Sequence, residues 1–154
     1  MPRIDLSLNY DQSELALIRQ NTSGTWTTAN IDLPKVTRNN DYLLKLQVYD
    51  DAPTAANLSA INTSSWQYDL GLLGTAPVIT LDSTSFNTDG WANTTAGKIT
   101  VNINTHSTSL TTAIGTDKYK TYYQQITGLD DAVGNQNLTV VFESLVSNVV
   151  GASS

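Results

Sequence analysis

Apolar and polar residues alternate with a period of two along most of this chain. Ile4, Leu6, Leu8 and Tyr10 alternate with Asp5, Ser7 and Asn9. Tyr42, Leu44, Leu46 and Val48 repeat the pattern until Asp50-Asp51-Ala52-Pro53 ends it. Trp66, Tyr68 and Leu70 share a face, Val78 to Leu81 form a short run, and Val101 and Ile103 alternate with Asn102 and Asn104. Near the end, Leu138, Val140 and Phe142 alternate with Thr139, Val141 and Glu143. Such a period sets one row of side chains on a core and the other in water, so each run predicts a strand.

Two segments are ambiguous. Residues 12–20, QSELALIRQ, could form a short helix capped by Ser13, but it would have little more than two turns, and TSGTWTT follows. A strand is preferred, apolar on both faces through Leu15, Leu17, Ala16 and Ile18. In 118–125, Tyr119, Thr121 and Tyr123 fall on one face and Lys118, Lys120 and Tyr122 on the other. The segment GLDDAVGNQ separates this run from the last one with residues suited to tight turns, and predicts a hairpin. Seven or more short strands between turn signals point to a sandwich or barrel.

Composition narrows the function classes. The 154 residues suit one domain able to bury a core without staples. Charged residues are only 14%, and Thr, Ser and Asn dominate the polar remainder, which is not the signature of disorder. A net charge of −6 disfavours phosphate backbones, so no nucleic-acid partner is expected. No apolar run approaches a membrane span, and Pro2-Arg3-Ile4-Asp5 opens an alternating pattern rather than a secretory leader. The absence of cysteine removes disulfides, thiolate metal sites and a Cys nucleophile.

The ordered set NNDYLLKLQVYDD, LSAI, SSWQYDL, AGKITVNI, KYKTYYQQITGLDDAVGNQ and NLTVVFE resembles the immunoglobulin-like N-terminal domain of phage baseplate upper proteins and related phage tail and head-fibre proteins. The resemblance covers about 36–144, and the order of the motifs carries it. It implies an all-β, immunoglobulin-like antiparallel sandwich over 35–150 that attaches a component to the virion and carries no catalytic residues. Residues 1–34 lie outside it and read as an N-terminal arm or hairpin extension; 151–154 read as a flexible tail. The arm's apolar residues Ile4, Leu6, Leu8, Leu15, Leu17 and Ile18 are the candidate partner-binding set, because a strand apolar on both faces needs a neighbour.

Catalytic chemistry has little to stand on. His106, the lone histidine, sits in the polar loop NTHSTS, and no nucleophile elbow accompanies it. The acids at Asp50-Asp51, Asp82, Asp89 and Asp130-Asp131 occupy turn positions, where such residues bond their own backbone. Calcium would suit loop oxygens better than hydrolysis would, yet the spacing of an EF-hand is missing. No catalytic residue, metal site or cofactor is therefore expected. Trp91, in a Gly/Asn/Thr loop, and Tyr122 are the candidate exposed aromatic contacts. The sequons at Asn21, Asn57, Asn62, Asn93 and Asn137 carry no weight without a secretory signal.

These readings converge on a non-enzymatic structural protein located in a phage virion. Its expected partners are other virion proteins of the capsid, tail or baseplate. Analogy with virion symmetry suggests a homo-oligomer, a trimer by preference. The alternative is a carbohydrate-binding sandwich that recognises host-surface glycans through Trp91 and Tyr122. A hydrolase using His106 or an Asp pair is the third.

Overall fold

The computed structural model describes residues 4–38, 40–72, 74–106, 119–130 and 136–147. The expectations on Leu110, Lys118, the turn at 131–135, Val149, Val150 and the tail 151–154 lie outside the described residues.

Among the described residues, eleven strands make two sheets packed face to face. The larger contains β1 (Ile4–Asp11), β2 (Ala16–Gln20), β3 (Trp26–Thr27), β5 (Asp41–Asp51), β6 (Thr54–Ala55) and β9 (Lys98–Asn104). The smaller runs in the order β4 (Lys35–Thr37), β11 (Gln136–Ser147), β10 (Tyr119–Asp130), β7 (Gln67–Gly71), β8 (Ile79–Leu81). Among the described residues the only helical turns are two 3₁₀ turns, Ser83–Ser85 and Thr94–Ala96. This is the expected all-β sandwich. From β5 the chain crosses to the β7–β8 hairpin, back to β9, and across again to the β10–β11 hairpin, the Greek-key pattern of an immunoglobulin-like domain.

Two pairings correct the expectation of a purely antiparallel sandwich. β4 lies parallel to β11, with Val36 opposite Val146, and β1 lies parallel to β5 from Ile4 opposite Tyr42 to Asp11 opposite Tyr49. The second pairing also corrects the arm. Residues 4–20 do form a hairpin, with Asn9 opposite Ile18, but it is built into the larger sheet beside β5. Tyr10 and Leu17 belong to the hydrophobic core, and Leu6 and Leu8 pack against it. The physical reason is that β5, whose inward row is the middle of the core, carries backbone N–H and C=O groups along both edges that must be paired once they are buried. β9 takes one edge and β1 the other.

The core forms where inward rows of the two sheets meet. Tyr42, Leu44, Leu46 and Val48 of β5 face Tyr68 and Leu70 of β7, Ile126 of β10 and Val140 of β11 within one cluster. Trp66 is buried as its alternation implied, and stacks on Phe86 at 5.4 Å between ring centroids. Gly128 opens the space for Trp66, since a Cβ there would meet the Ile61 side chain at 2.7 Å and the indole at 3.3 Å. Gly97 adopts φ 72° and brings the 85–97 loop onto β5, with its carbonyl accepting from Val48 N at 2.8 Å.

One local motif explains much of the Ser/Thr/Asn content. At Asp11–Ser13, Asn21–Ser23, Asn57–Ser59, Asn62–Ser64 and Asp82–Thr84, the side-chain Oδ1 accepts from both the amide and the hydroxyl two residues on. These are Asx turns, in which the side chain imitates a turn of backbone. Three of the five sequons fall in this set, so their spacing is turn chemistry.

Candidate functional site

An apolar groove lies between the β1–β2 turn and the outer face of the β10–β11 hairpin. It encloses about 370 Å³. Leu15, Ala16 and Leu17 form one wall, Ile31 and Leu33 the end, and Tyr123, Val141 and Glu143 the other wall. The Tyr123 hydroxyl donates to Glu143 Oε1 at 3.3 Å. A smaller depression of about 160 Å³ is lined by Asp69, Leu72 and Pro77, and it shares Tyr123 and Val141 with the groove.

Local chemistry sets each wall. Asp11 ends β1, and its carboxylate accepts from Ser13 N at 2.9 Å, Ser13 Oγ at 2.7 Å and Ala52 N at 3.2 Å. Burial pulls this carboxyl upward, but those hydrogen bonds outweigh it and hold the group below its ordinary value. The turn then delivers Leu15 at φ 53°, in the left-handed region, with 74% of its surface exposed. A branched apolar side chain there is unfavourable in two ways, through backbone strain and through contact with water. The opposite end is fixed by Arg19, whose Nε donates to Ala29 O at 2.8 Å, and by Asn30 at φ 55°. Val141 is 40% exposed on the outer face, one residue from Val140, which is fully buried. Beneath it the Tyr10 hydroxyl reaches the Val141 backbone and ties the two sheets together.

No protein-family model matches this chain, and no curated protein sequence matches it.

The six residues proposed from sequence for partner binding do not form one surface. Leu17 and Ile18 are buried, Leu6 and Leu8 partly so, and only Ile4 and Leu15 stand exposed. Of the six, Leu15 and Leu17 reach the groove. Tyr122 corrects its expectation outright: it is fully buried, because the inward row of β10 is Tyr122, Gln124 and Ile126. Trp91 is half-buried, its amide donating to Asp89 Oδ1 at 2.9 Å and its ring lying 5.3 Å from Lys98 Nζ. Ile31, Leu33, Tyr123 and Val141 were not singled out as site residues. The available signal was Val141, an apolar residue among polar ones on the outward row.

The chemical candidates stay apart. His106 is exposed just past β9, its amide donating to Asn104 Oδ1 at 2.8 Å. Asp50 accepts from Gln12 Nε2, and Asp82 caps a 3₁₀ turn through Thr84, whose bonds lower its pKa. Among the described residues no three His, Cys, Asp or Glu side chains gather as a metal site would require, and no helix is long and apolar enough to cross a membrane.

Proposed function

We propose that this chain is a non-enzymatic structural protein of a phage particle, decorating the capsid or linking a tail or baseplate component through protein–protein contacts. The ordered motifs of 36–144 support the phage part of this reading, and the sandwich is the fold they imply. The observation that carries the contact part is Leu15, held at φ 53° and 74% exposed beside Val141. Strain and exposure combined on one apolar residue are features that cluster at binding sites. Assembly as a homo-oligomer, a trimer by preference, belongs to the same proposal.

Glycan recognition has weaker support, since Tyr122 is buried and Trp91 lies against Lys98 rather than presenting an open ring. Mass spectrometry of purified particles of the encoding phage tests the reading. The protein is expected among the virion components at a stoichiometry matching a symmetric attachment site, and its absence overturns the proposal.

A further inference from the structure

The described glycines other than Gly90 are explained by the fold. Gly24, Gly74 and Gly97 have positive φ, and Gly71 and Gly128 lack room for a Cβ, which would meet Pro77 Cα at 2.9 Å and the Ile61 side chain at 2.7 Å. Gly90 has neither reason. Its φ lies outside the left-handed region, and a Cβ built on it would meet nothing within 4 Å. It is exposed, and among the described residues its amide donates no hydrogen bond. What distinguishes it is the residue before it. Asp89–Gly90 is the only place in the sequence where glycine follows an aspartate, and glycine follows no asparagine. With no Cβ in the way, a neighbouring side-chain carbon approaches the next peptide nitrogen most readily here. The local bonds leave that approach open. Asp89 Oδ1 accepts from Trp91 N at 2.9 Å and Asp89 O from Ala92 N at 3.1 Å, so both bonds pass over Gly90 and leave its amide bare. Other aspartates differ. At Asp51–Ala52 the amide is engaged, donating to Asp11 Oδ2 at 3.2 Å. At Asp82–Ser83 the next residue carries a Cβ and begins a 3₁₀ turn, and Asp82 Oδ1 is held by the amide and hydroxyl of Thr84.

We propose that Asp89–Gly90 is a site of spontaneous backbone isomerisation, which rearranges the Trp91 loop and leaves the sandwich folded. The proposal stands on this loop alone and does not depend on the attachment reading. The Gly90 nitrogen gives up its proton to solvent and attacks Asp89 Cγ. A C–N bond forms, a Cγ–O bond breaks, and the carboxyl oxygen leaves as water, closing a five-membered succinimide. Water then adds to one of the two ring carbonyls. Breaking the Cγ–N bond restores aspartate; breaking the bond between the Asp89 carbonyl carbon and nitrogen yields isoaspartate. One water leaves and one returns, so no oxidant or other reagent is consumed. In the product the main chain runs through Cβ and Cγ, one methylene longer, and the original carbonyl carbon becomes the side-branch carboxylate. The bonds to Trp91 N and Ala92 N are lost together. Trp91, whose ring lies 5.3 Å from Lys98 Nζ, loses its tether to Asp89. The change is bounded on both sides: Asn87 N donates to Thr100 O at 2.8 Å, and Asn93 N to Lys98 O at 2.9 Å. In an assembly whose subunits are not replaced, the altered fraction grows with age.

The test holds the folded full chain in warm neutral buffer for several weeks. Aged samples are labelled with an isoaspartate-specific methyltransferase, and the label is mapped by electron-transfer fragmentation. The expected result is label that accumulates first at residue 89, in a chain whose mass before labelling is unchanged. Gly90→Ala should fold, since its methyl group has space, and should accumulate label severalfold more slowly. Asp89→Asn should react faster, its side-chain amide leaving as ammonia. Amide NMR of the aged chain should show displaced signals only across 88–92 and at Lys98, with the melting midpoint unmoved. Label that appears first at another aspartate, label at 89 only when the chain is unfolded in urea, or equal rates in wild type and Gly90→Ala overturns the site. Displaced signals along the β5–β9 ladder beyond Lys98, or a lowered midpoint, overturns its confinement to the loop. Each of these outcomes is the same whether or not the chain is found in a particle.

Discussion

The Tyr68 hydroxyl donates to Gln124 Oε1 at 2.8 Å in the middle of the sandwich, and it is the only partner that Gln124's buried side chain has among the described residues. The Gln124 Nε2 has no hydrogen-bond partner there. Tyr68→Phe thus leaves the whole amide unsatisfied and is expected to cost about 1–3 kcal/mol. Tyr68→Phe combined with Gln124→Leu removes both polar groups and should recover most of that loss. Urea unfolding of the two single variants and the double variant gives the coupling.

Removing the opening hairpin should unfold the protein. A chain beginning at Lys35 loses the strand that lies along β5 from Tyr42 to Tyr49, together with Tyr10 and Leu17 from the core. Circular dichroism should show no cooperative melt. A sharp transition from that shortened chain would mean that β5 tolerates an open edge.

Leu15→Gly should stabilise. Relief of the left-handed backbone is worth about 1–2 kcal/mol. The greater freedom of glycine in the unfolded chain returns about 0.5–1 kcal/mol of that. Thermal unfolding should show an unchanged or raised midpoint. A clear fall would mean that the leucine side chain contributes more to folding than its exposure suggests.

Acid should weaken the fold through Asp11. Its carboxyl is held below the ordinary value when folded, so its contribution is complete above the unfolded pKa of about 4 and is lost as pH falls from there through the folded pKa. Asp11→Asn should flatten that acid limb in denaturation followed from neutral pH downward.

Alkali should weaken it through the phenols. Burial raises Tyr68 most, with the Asp69 charge adding to it, and burial raises Tyr10, Tyr49 and Tyr122 as well. The folded chain keeps protons that the unfolded chain releases, so stability should hold up to the unfolded pKa of about 10 and decline above it. Ultraviolet titration of the phenolates should show a late, cooperative step coincident with unfolding.

Much of the fold was legible because alternation is a local property. β5, β9 and β11 sit where their apolar rows fall, and Trp66 is in the core as its neighbours implied. Partner choice is not local. Nothing in the first eleven residues says that their strand lies parallel to β5, because that pairing is set by the needs of a strand some forty residues away. β10 misled for a different reason: its inward row includes Tyr122 and Gln124, and its outward row contains Tyr123, so hydrophobicity does not tell the faces apart. The groove combines a turn leucine, a bend and an outward valine, residues that meet only once both sheets are assembled.

The two parallel pairings carry a cost in time. Ile4 must find Tyr42, and Val36 must find Val146, each a partner far away in the chain. Such non-local closure places this domain among slow folders, on the scale of milliseconds to seconds. The β10–β11 hairpin can form early, yet until Lys35–Thr37 arrive the outer flank of β11 at Leu145 to Ser147 is bare as well. During that interval the unfinished chain is open to pairing with strangers, and the rate at which β4 docks should govern how much of the protein is lost to aggregates when refolded at high concentration.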